Sequence, residues 1–359
     1  MTENAVVDDV RGDPAHHLNF MRARIIMRGT DFSDYERVRD QVHDWDTWWG
    51  AWSELAESYL ELAAGYRAKG WGRSEGQALI SAGLAYHWAK AMTVEDDEQY
   101  RTVALQSVKA VADGYRAFDD TFERLEVPFD TGHVYGNLRR PAGVSKPPLV
   151  FIIPGLESVK EEFPTWEQHF LTRGMATLSM DGPGQGEGGF ELRIRPDYEA
   201  PFGAMLDALA GRSDLDLDRV GAAGISLGGY YVVRAAAFEP RIKAALSNCG
   251  PWNLGAAIDH MEPIYRAKNQ WNLGAKDLDE TRELASRINL DGVAQKVQQP
   301  VLVVYGSKDA LVDSSHGTAL SDALPNGELW MIEDGNHGVT NFPTQHLGPG
   351  ADWLYEHLR

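Results

Sequence analysis

Apolar residues recur at alternating steps of four and three along Trp48, Trp52, Leu55, Tyr59, Leu62 and Tyr66. That spacing lays one aromatic and aliphatic stripe along a helix. Ser74 followed by Gln77 resembles a capping box and opens a second expected helix through Ile80, Leu84 and Trp88. A third runs from about Tyr100 to Tyr115 through Ala104, Val108 and Val111. No strand pattern interrupts residues 30–118, and six of the eleven tryptophans fall there. Such stripes bury against neighbouring helices, so helix core is the first reading of these tryptophans. The sharper expectation is that some of them line a substrate pocket shared with the rest of the chain.

The pattern changes near residue 122. Glu123 to Val127 and His133 to Arg139 read as a strand pair, and Pro141 to Pro148 as a turn-rich connector. Short apolar runs come next at Leu149 to Ile153, Ala176 to Met180, Val220 to Ala223, Ala244 to Ser247, Val301 to Tyr305 and Glu328 to Ile332. Helix-compatible segments separate them. Apolar strands alternating with helices predict an α/β fold: a mostly parallel sheet covered by helices on both faces. The expected organisation is an N-terminal helical domain over 1–120 and an α/β domain over 121–359, with a cap-like insertion around 251–297. Functional groups in such sheets gather at the carboxyl ends of strands. No internal repeat or low-complexity tract is present, and the first dozen residues are expected to be mobile.

Composition narrows the partners. The 359 residues are 43% hydrophobic and 24% charged, with a formal net charge of −19. That field repels nucleic-acid phosphate and anionic membrane, so neither is expected as a partner. The single cysteine, Cys249, permits no internal disulfide. The N-terminal stretch is acidic and lacks the apolar core of a signal peptide, and no run approaches the length of a membrane helix. Together these predict a cytoplasmic protein.

The residues just past the expected strands carry the chemistry. After Val220 to Ala223 comes Gly224-Ile225-Ser226-Leu227-Gly228, a G-x-S-x-G pattern. It places a serine at the tip of a sharp strand-to-helix turn, where small neighbours let the backbone pass closely. The helix after Ser226 points N–H groups at developing negative charge. A serine hydroxyl needs an adjacent base. The strand Val301 to Tyr305 leads to Asp309, and the last strand leads to His337. The order Ser, Asp, His is that of the α/β-hydrolase triad. Asp309 is expected as the acid, with Asp313 as its alternative. His337 is expected as the base, with His346 as a weaker candidate. Two N–H donors are needed for the oxyanion: Leu227, directly after the nucleophile, and Leu156 on the loop after Leu149 to Ile153, where Gly155 permits close approach.

Other features read as structural. Asp181 to Glu187 holds three glycines, yet lacks the spacing of a P-loop or a dinucleotide turn, and is expected as a tight turn at the edge of the pocket. Cys249 is expected to be a buried structural thiol. No His, Cys or carboxylate spacing suggests a metal site, and no cofactor is expected.

The segments PGLESVKEE (154–162), RGMATLSMDGPGQGE (173–187) and GISLGGYYVVRAAAFEPRIKAA (224–245), with the late Asp309 and His337 loops, resemble the 2,6-dihydroxypseudooxynicotine hydrolase family. This is a group of bacterial carbon–carbon hydrolases with relatives among fungal heptaketide hydrolases. The resemblance runs through residues 120–359. It implies an α/β-hydrolase core, an N-terminal helical domain over the site, and often a dimer. It also implies that the triad falls on Ser226, Asp309 and His337. The family's nicotine-pathway enzyme carries an extra acidic residue after the sixth strand. In this chain that segment offers Asp259 and Glu262, with surface charge as the competing reading. The implied activity is cleavage of an acyl–carbon bond in an aromatic or 1,3-dicarbonyl ketone, a small-molecule substrate. A carboxylesterase, lactonase, amidase, acyl transferase or cyclase would use the same triad, and a non-catalytic binding protein is the remote alternative.

Overall fold

The computed structural model describes residues 10–94 and 98–359. The expectations of a mobile N-terminus and of no leader peptide concern residues 1–9 in the main, and these lie outside the described residues. The chain forms two compact units. One holds the described residues up to Phe122 together with Glu262–Lys268, and the other holds Glu123–Met261 and Asn269–Arg359. Among the described residues no helix is long and apolar enough to cross a membrane.

The first unit is built from α1 (Pro14–Met27), α2 (Phe32–Gln41), α3 (Trp45–Ala68), α4 (Gly72–Lys90) and α5 (Glu98–Arg116). The stripe on α3 is buried through Trp48, Trp52 and Leu55, then fades: Leu62 is 43% exposed and Ala63 takes the buried position. Trp45, Trp48, Trp52 and Trp88 form a chain of tilted rings with centroids 5.4, 6.4 and 6.5 Å apart. A buried indole N–H gains from an acceptor, and Trp48 and Trp88 each have one. Trp48 Nε1 donates to Trp88 O and Trp88 Nε1 donates to Thr30 Oγ1, both at 3.0 Å. Trp49 is half-buried and Trp71 is exposed.

The capping box expected at Ser74 is not formed. Helix α4 begins at Gly72, with no side-chain cap. The Trp71 carbonyl already accepts the Glu75 N–H at 2.9 Å, so Ser74 falls inside the first turn. The box occurs instead at the start of α3. Asp44 Oδ1 accepts from Thr47 N at 2.8 Å, and Thr47 Oγ1 accepts from Asp44 N at 2.9 Å.

The second unit is an eight-stranded sheet. Its strands are β1 (Glu123–Phe129), β2 (Gly132–Arg139), β3 (Pro148–Ile153), β4 (Ala176–Asp181), β5 (Asp216–Ile225), β6 (Ile242–Asn248), β7 (Val301–Gly306) and β8 (Gly327–Ile332). Their order is β1-β2-β4-β3-β5-β6-β7-β8. β1, β2 and β4 pair antiparallel, and every later pairing is parallel. Strands β3, β4 and β7 are buried along their whole length, as interior strands under helices on both faces are. The remaining α-helices are α6 (Pro164–Leu171), α7 (Glu199–Ala208), α8 (Leu227–Phe238), α9 (Leu254–Ala257), α10 (Pro263–Leu273), which belongs to the first unit as far as Lys268, α11 (Leu278–Ser286), α12 (Ser315–Ala323) and α13 (Leu347–His357). Because β3 through β8 run in one direction, their carboxyl ends bring the loops after residues 153, 181, 225, 248, 306 and 332 to one edge of the sheet.

Candidate active site

Between the end of β5 and the start of α8 stands one residue, Ser226, with φ 55° and ψ −127°. A non-glycine residue there is strained. The turn is tight enough that a Cβ on Gly224 would lie 2.1 Å from Gly228 O, and one on Gly228 would lie 2.1 Å from Ile153 O. Both outer glycines of the motif therefore sit where backbone crosses backbone. The turn is pinned by Ser226 N donating to Asn248 O at 2.8 Å and by Gly229 N donating to Ser226 O at 2.7 Å. Leu227 is the first residue of α8, where N–H groups have no partner within the helix.

Asp309 follows β7 by three residues, and its carboxylate is fully buried. Oδ2 lies 2.7 Å from His337 Nδ1, while Leu311 N and Val312 N each donate to Oδ1 at 2.9 Å. Burial pushes this carboxyl up, but the charge and hydrogen bond of His337 and the two N–H groups outweigh it. The result lies below the usual aspartate range. A carboxylate so held stays ionised and fixes the ring, leaving Nε2 for chemistry. Asp313, by contrast, accepts from Ser315 N at 2.9 Å at the start of α12. His346 is buried with Nδ1 3.2 Å from Phe342 O.

The end of β6 ties the serine turn to the histidine loop. Asn248 accepts from Ser226 N through its carbonyl, and its Nδ2 donates to Gly338 O at 3.1 Å. Gly338 N donates to Cys249 Sγ at 3.2 Å, and a Cβ on Gly338 would lie 2.7 Å from Ile225 Cδ1. The residue after His337 thus packs on the residue before Ser226. Cys249 is buried, and burial followed by the Asp309 charge pushes its thiol up, so it is inert as a nucleophile at neutral pH. Among the described residues six non-glycines have positive φ. Four of these, Ser226, Cys249, Asp334 and Val339, lie on these loops. Strain collected at one place is a mark of a functional site.

The loop after β3 passes over the serine. A Cβ on Gly155 would stand 2.9 Å from Ser226 Cβ and 3.4 Å from its Oγ, so a side chain at 155 would close the approach to the hydroxyl. The 181–187 segment is a turn of two left-handed glycines, Gly184 and Gly186, and it carries buried charge. Lys160 Nζ lies 2.8 Å from Glu161 Oε1, 3.1 Å from Asp181 Oδ2 and 2.6 Å from Glu187 Oε1. Arg124 meets Glu187 at 2.6 Å. Burial pushes the Glu161 carboxyl up to about 7 against the pull of Lys160. Sequence reasoning missed Asn248, Gln185 and this cluster. The apolar run ending at Asn248 was the available signal for the first, and K-E-E reads as solvated surface until its burial is known.

The two auxiliary-acid candidates sit apart in kind. The half-exposed Asp259 carboxylate is held by Arg282, with Nη2 at 2.8 Å. Glu262 belongs to the first unit, where Oε1 lies 3.7 Å from His16 Nε2 and the side chain is 46% exposed. Sequence spacing pointed to no metal site, yet folding gathers His16, His17 and Glu262, and separately Cys249, Asp309 and His337, with potential ligand atoms within 4.8 Å of one another. The first group lies at the start of α1, where the helix dipole disfavours a cation. In the second, Asp309 and His337 already bind each other.

The prolyl oligopeptidase family profile matches residues 161–358. The chain is 31% identical to 2,6-dihydropseudooxynicotine hydrolase of Paenarthrobacter nicotinovorans over 93% of its own length and 91% of that protein. It is 33% identical to Hydrolase LUC6 of a Fusarium species over 61% of its length and 55% of that protein. A crystal structure of 2,6-dihydroxy-pseudo-oxynicotine hydrolase superposes with a TM-score of 0.86 at 30% identity, covering 94% of this chain and 95% of that one.

Proposed function

Because this chain belongs to the prolyl oligopeptidase family and is an α/β-hydrolase enzyme, we propose that it cleaves a small acyl compound with Ser226 as nucleophile, His337 as base and Asp309 as acid. The observation that carries this reading is the buried Asp309–His337 pair, 2.7 Å apart, on a loop that packs against the strained Ser226 turn. In this reading Ser226 Oγ attacks the substrate carbonyl as its proton passes to His337 Nε2. The N–H groups of Leu156 and Leu227 hold the oxyanion. The intermediate collapses by breaking the acyl–carbon bond, and His337 returns the proton to the departing carbon. Water, deprotonated by the same imidazole, then releases the acyl group from Ser226.

The substrate proposed is an aromatic or 1,3-dicarbonyl ketone, whose leaving carbanion is delocalised enough to depart. Support comes from the relative named for 2,6-dihydropseudooxynicotine hydrolysis, which matches nearly the whole chain. The dimer implied by the family resemblance belongs to the same reading. An ester or lactone substrate is the second reading. It is favoured by the engagement of Asp259 with Arg282, since alcohol departure needs no additional acid. Turnover of aryl 1,3-diketones and pyridyl ketones is measured beside activated aryl esters. Faster kcat/KM on ketones is expected; inert ketones with fast ester cleavage would overturn the acyl–carbon assignment and leave the triad standing.

A further inference from the structure

We infer that Gln185 is a positioning residue for the oxyanion hole: its side-chain amide holds the Gly155–Leu156 peptide so that the Leu156 N–H faces the carbonyl attacked by Ser226. This rests on the nucleophile and oxyanion reading above and deepens it. Gln185 is 1% exposed. Its Nε2 donates to Pro154 O at 2.5 Å and to Gly155 O at 3.2 Å, and its Oε1 accepts from Gly182 N and from Tyr198 Oη, each at 3.0 Å. A primary amide has two N–H donors and two lone pairs on oxygen, and all four are engaged. The amide has one workable orientation, because the Gly182 N–H can only donate and so must face the oxygen. The tyrosine that holds that oxygen is itself fixed, since the Tyr198 ring stacks on Tyr231 at 4.0 Å and 16°.

The carbonyl of Gly155 and the N–H of Leu156 are two ends of one trans peptide plane, and they point in opposite directions. Gripping the oxygen from the Gln185 side therefore turns the N–H to the other side. Gly155 stands directly against Ser226, 3.4 Å from Oγ by the position of a Cβ built on it. The same hydrogen bond polarises the peptide and makes its N–H a better donor. Pro154, Gly155 and Leu156 have no polar side chain of their own to set this plane. The neighbouring turn supplies it through the buried Gln185 amide.

The test uses the full-length protein and a fluorophosphonate aryl ester, whose phosphonyl oxygen needs the same donors when Ser226 attacks. The second-order labelling rate at Ser226 is measured from pH 5 to 9 for wild type, Gln185→Met, Gln185→Glu and Ser226→Ala, with melting temperatures alongside. Gln185→Met, which leaves two carbonyls without a donor, should label roughly 10–100-fold more slowly, short of the 10²–10³ cost of deleting an oxyanion donor outright. Gln185→Glu can donate while protonated but only accept once ionised. Its rate relative to wild type should start within a few-fold at low pH and fall at least tenfold as pH rises, while the Gln185→Met ratio stays flat. Looser packing alone would give both variants ratios that do not change with pH, and that result overturns the inference. So does a Gln185→Met protein labelled at the wild-type rate. If wild type takes no label at Ser226, or Ser226→Ala is labelled equally, the nucleophile reading has failed and this inference falls with it.

Discussion

Two of the buried ionic groups in the sheet unit, the Asp309 pair and the Lys160 cluster, differ in how their charge is balanced. Asp309 meets one imidazole and two backbone N–H groups, so a single carboxylate is fully satisfied and held below its usual range. Lys160 meets three carboxylates, with Arg124 as a second cation on Glu187. Burial disfavours its ammonium, but Asp181, Glu161 and Glu187 more than reverse this, and the cost appears on Glu161, pushed up to about 7. The cluster has the larger perturbations, yet it is the pair that lies on a loop packed against the strained serine turn. Perturbed titration marks candidates; placement against a nucleophile decides between them.

The largest effect is expected at the Asp309–His337 pair. Asp309→Asn should reduce kcat by roughly 10³–10⁴-fold with the fold intact, as expected when an imidazole loses the carboxylate that sets its tautomer. Asp313→Asn should stay within about twofold in the same assay, because that carboxylate serves Ser315 N. Equal losses in the two variants would erase the distinction drawn between the acids.

At the cluster the expected effect is on stability. Lys160→Met strips the ammonium from three buried carboxylates and should cost about 3–5 kcal/mol in a denaturant titration. A change below 1 kcal/mol would mean that the network is not a buried one. The smallest effect is a pH dependence at Glu161. A carboxyl whose pKa is raised on folding keeps its proton in the folded state after the unfolded chain, with a glutamate pKa near 4.3, has released it. Stability contributed this way is full below about pH 4, falls as pH rises, and is gone above about 7. Glu161→Gln has no such proton. The melting temperature of wild type minus that of the variant should therefore decline between pH 4.5 and 7.5; a flat difference would place Glu161 as an ordinary ionised carboxylate.

The strands and the order Ser226, Asp309, His337 were legible because apolar runs under two helical layers leave an unmistakable pattern, and because the residues at their ends stand in a fixed succession. The helical stripe was legible through Leu55 and failed at Leu62, because the face against the neighbouring helix passes to Ala63, which packs with Tyr59 and Tyr66 on Ala78 and Leu79. Caps were misjudged for a local reason: Ser74 has the right spacing, while the Trp71 carbonyl had already started the helix. Gln185 and Lys160 could not be found in this way. A glutamine in a glycine turn has no direction until the turn is folded, and a lysine between acids reads as surface until its burial is seen.

The most direct test of the central claim is turnover by Ser226→Ala beside wild type, on whichever ketone or ester wild type cleaves fastest. The account predicts an unchanged melting temperature with turnover lost to the background rate. Turnover at the wild-type rate would contradict it, because the attack could then not come from the Ser226 hydroxyl.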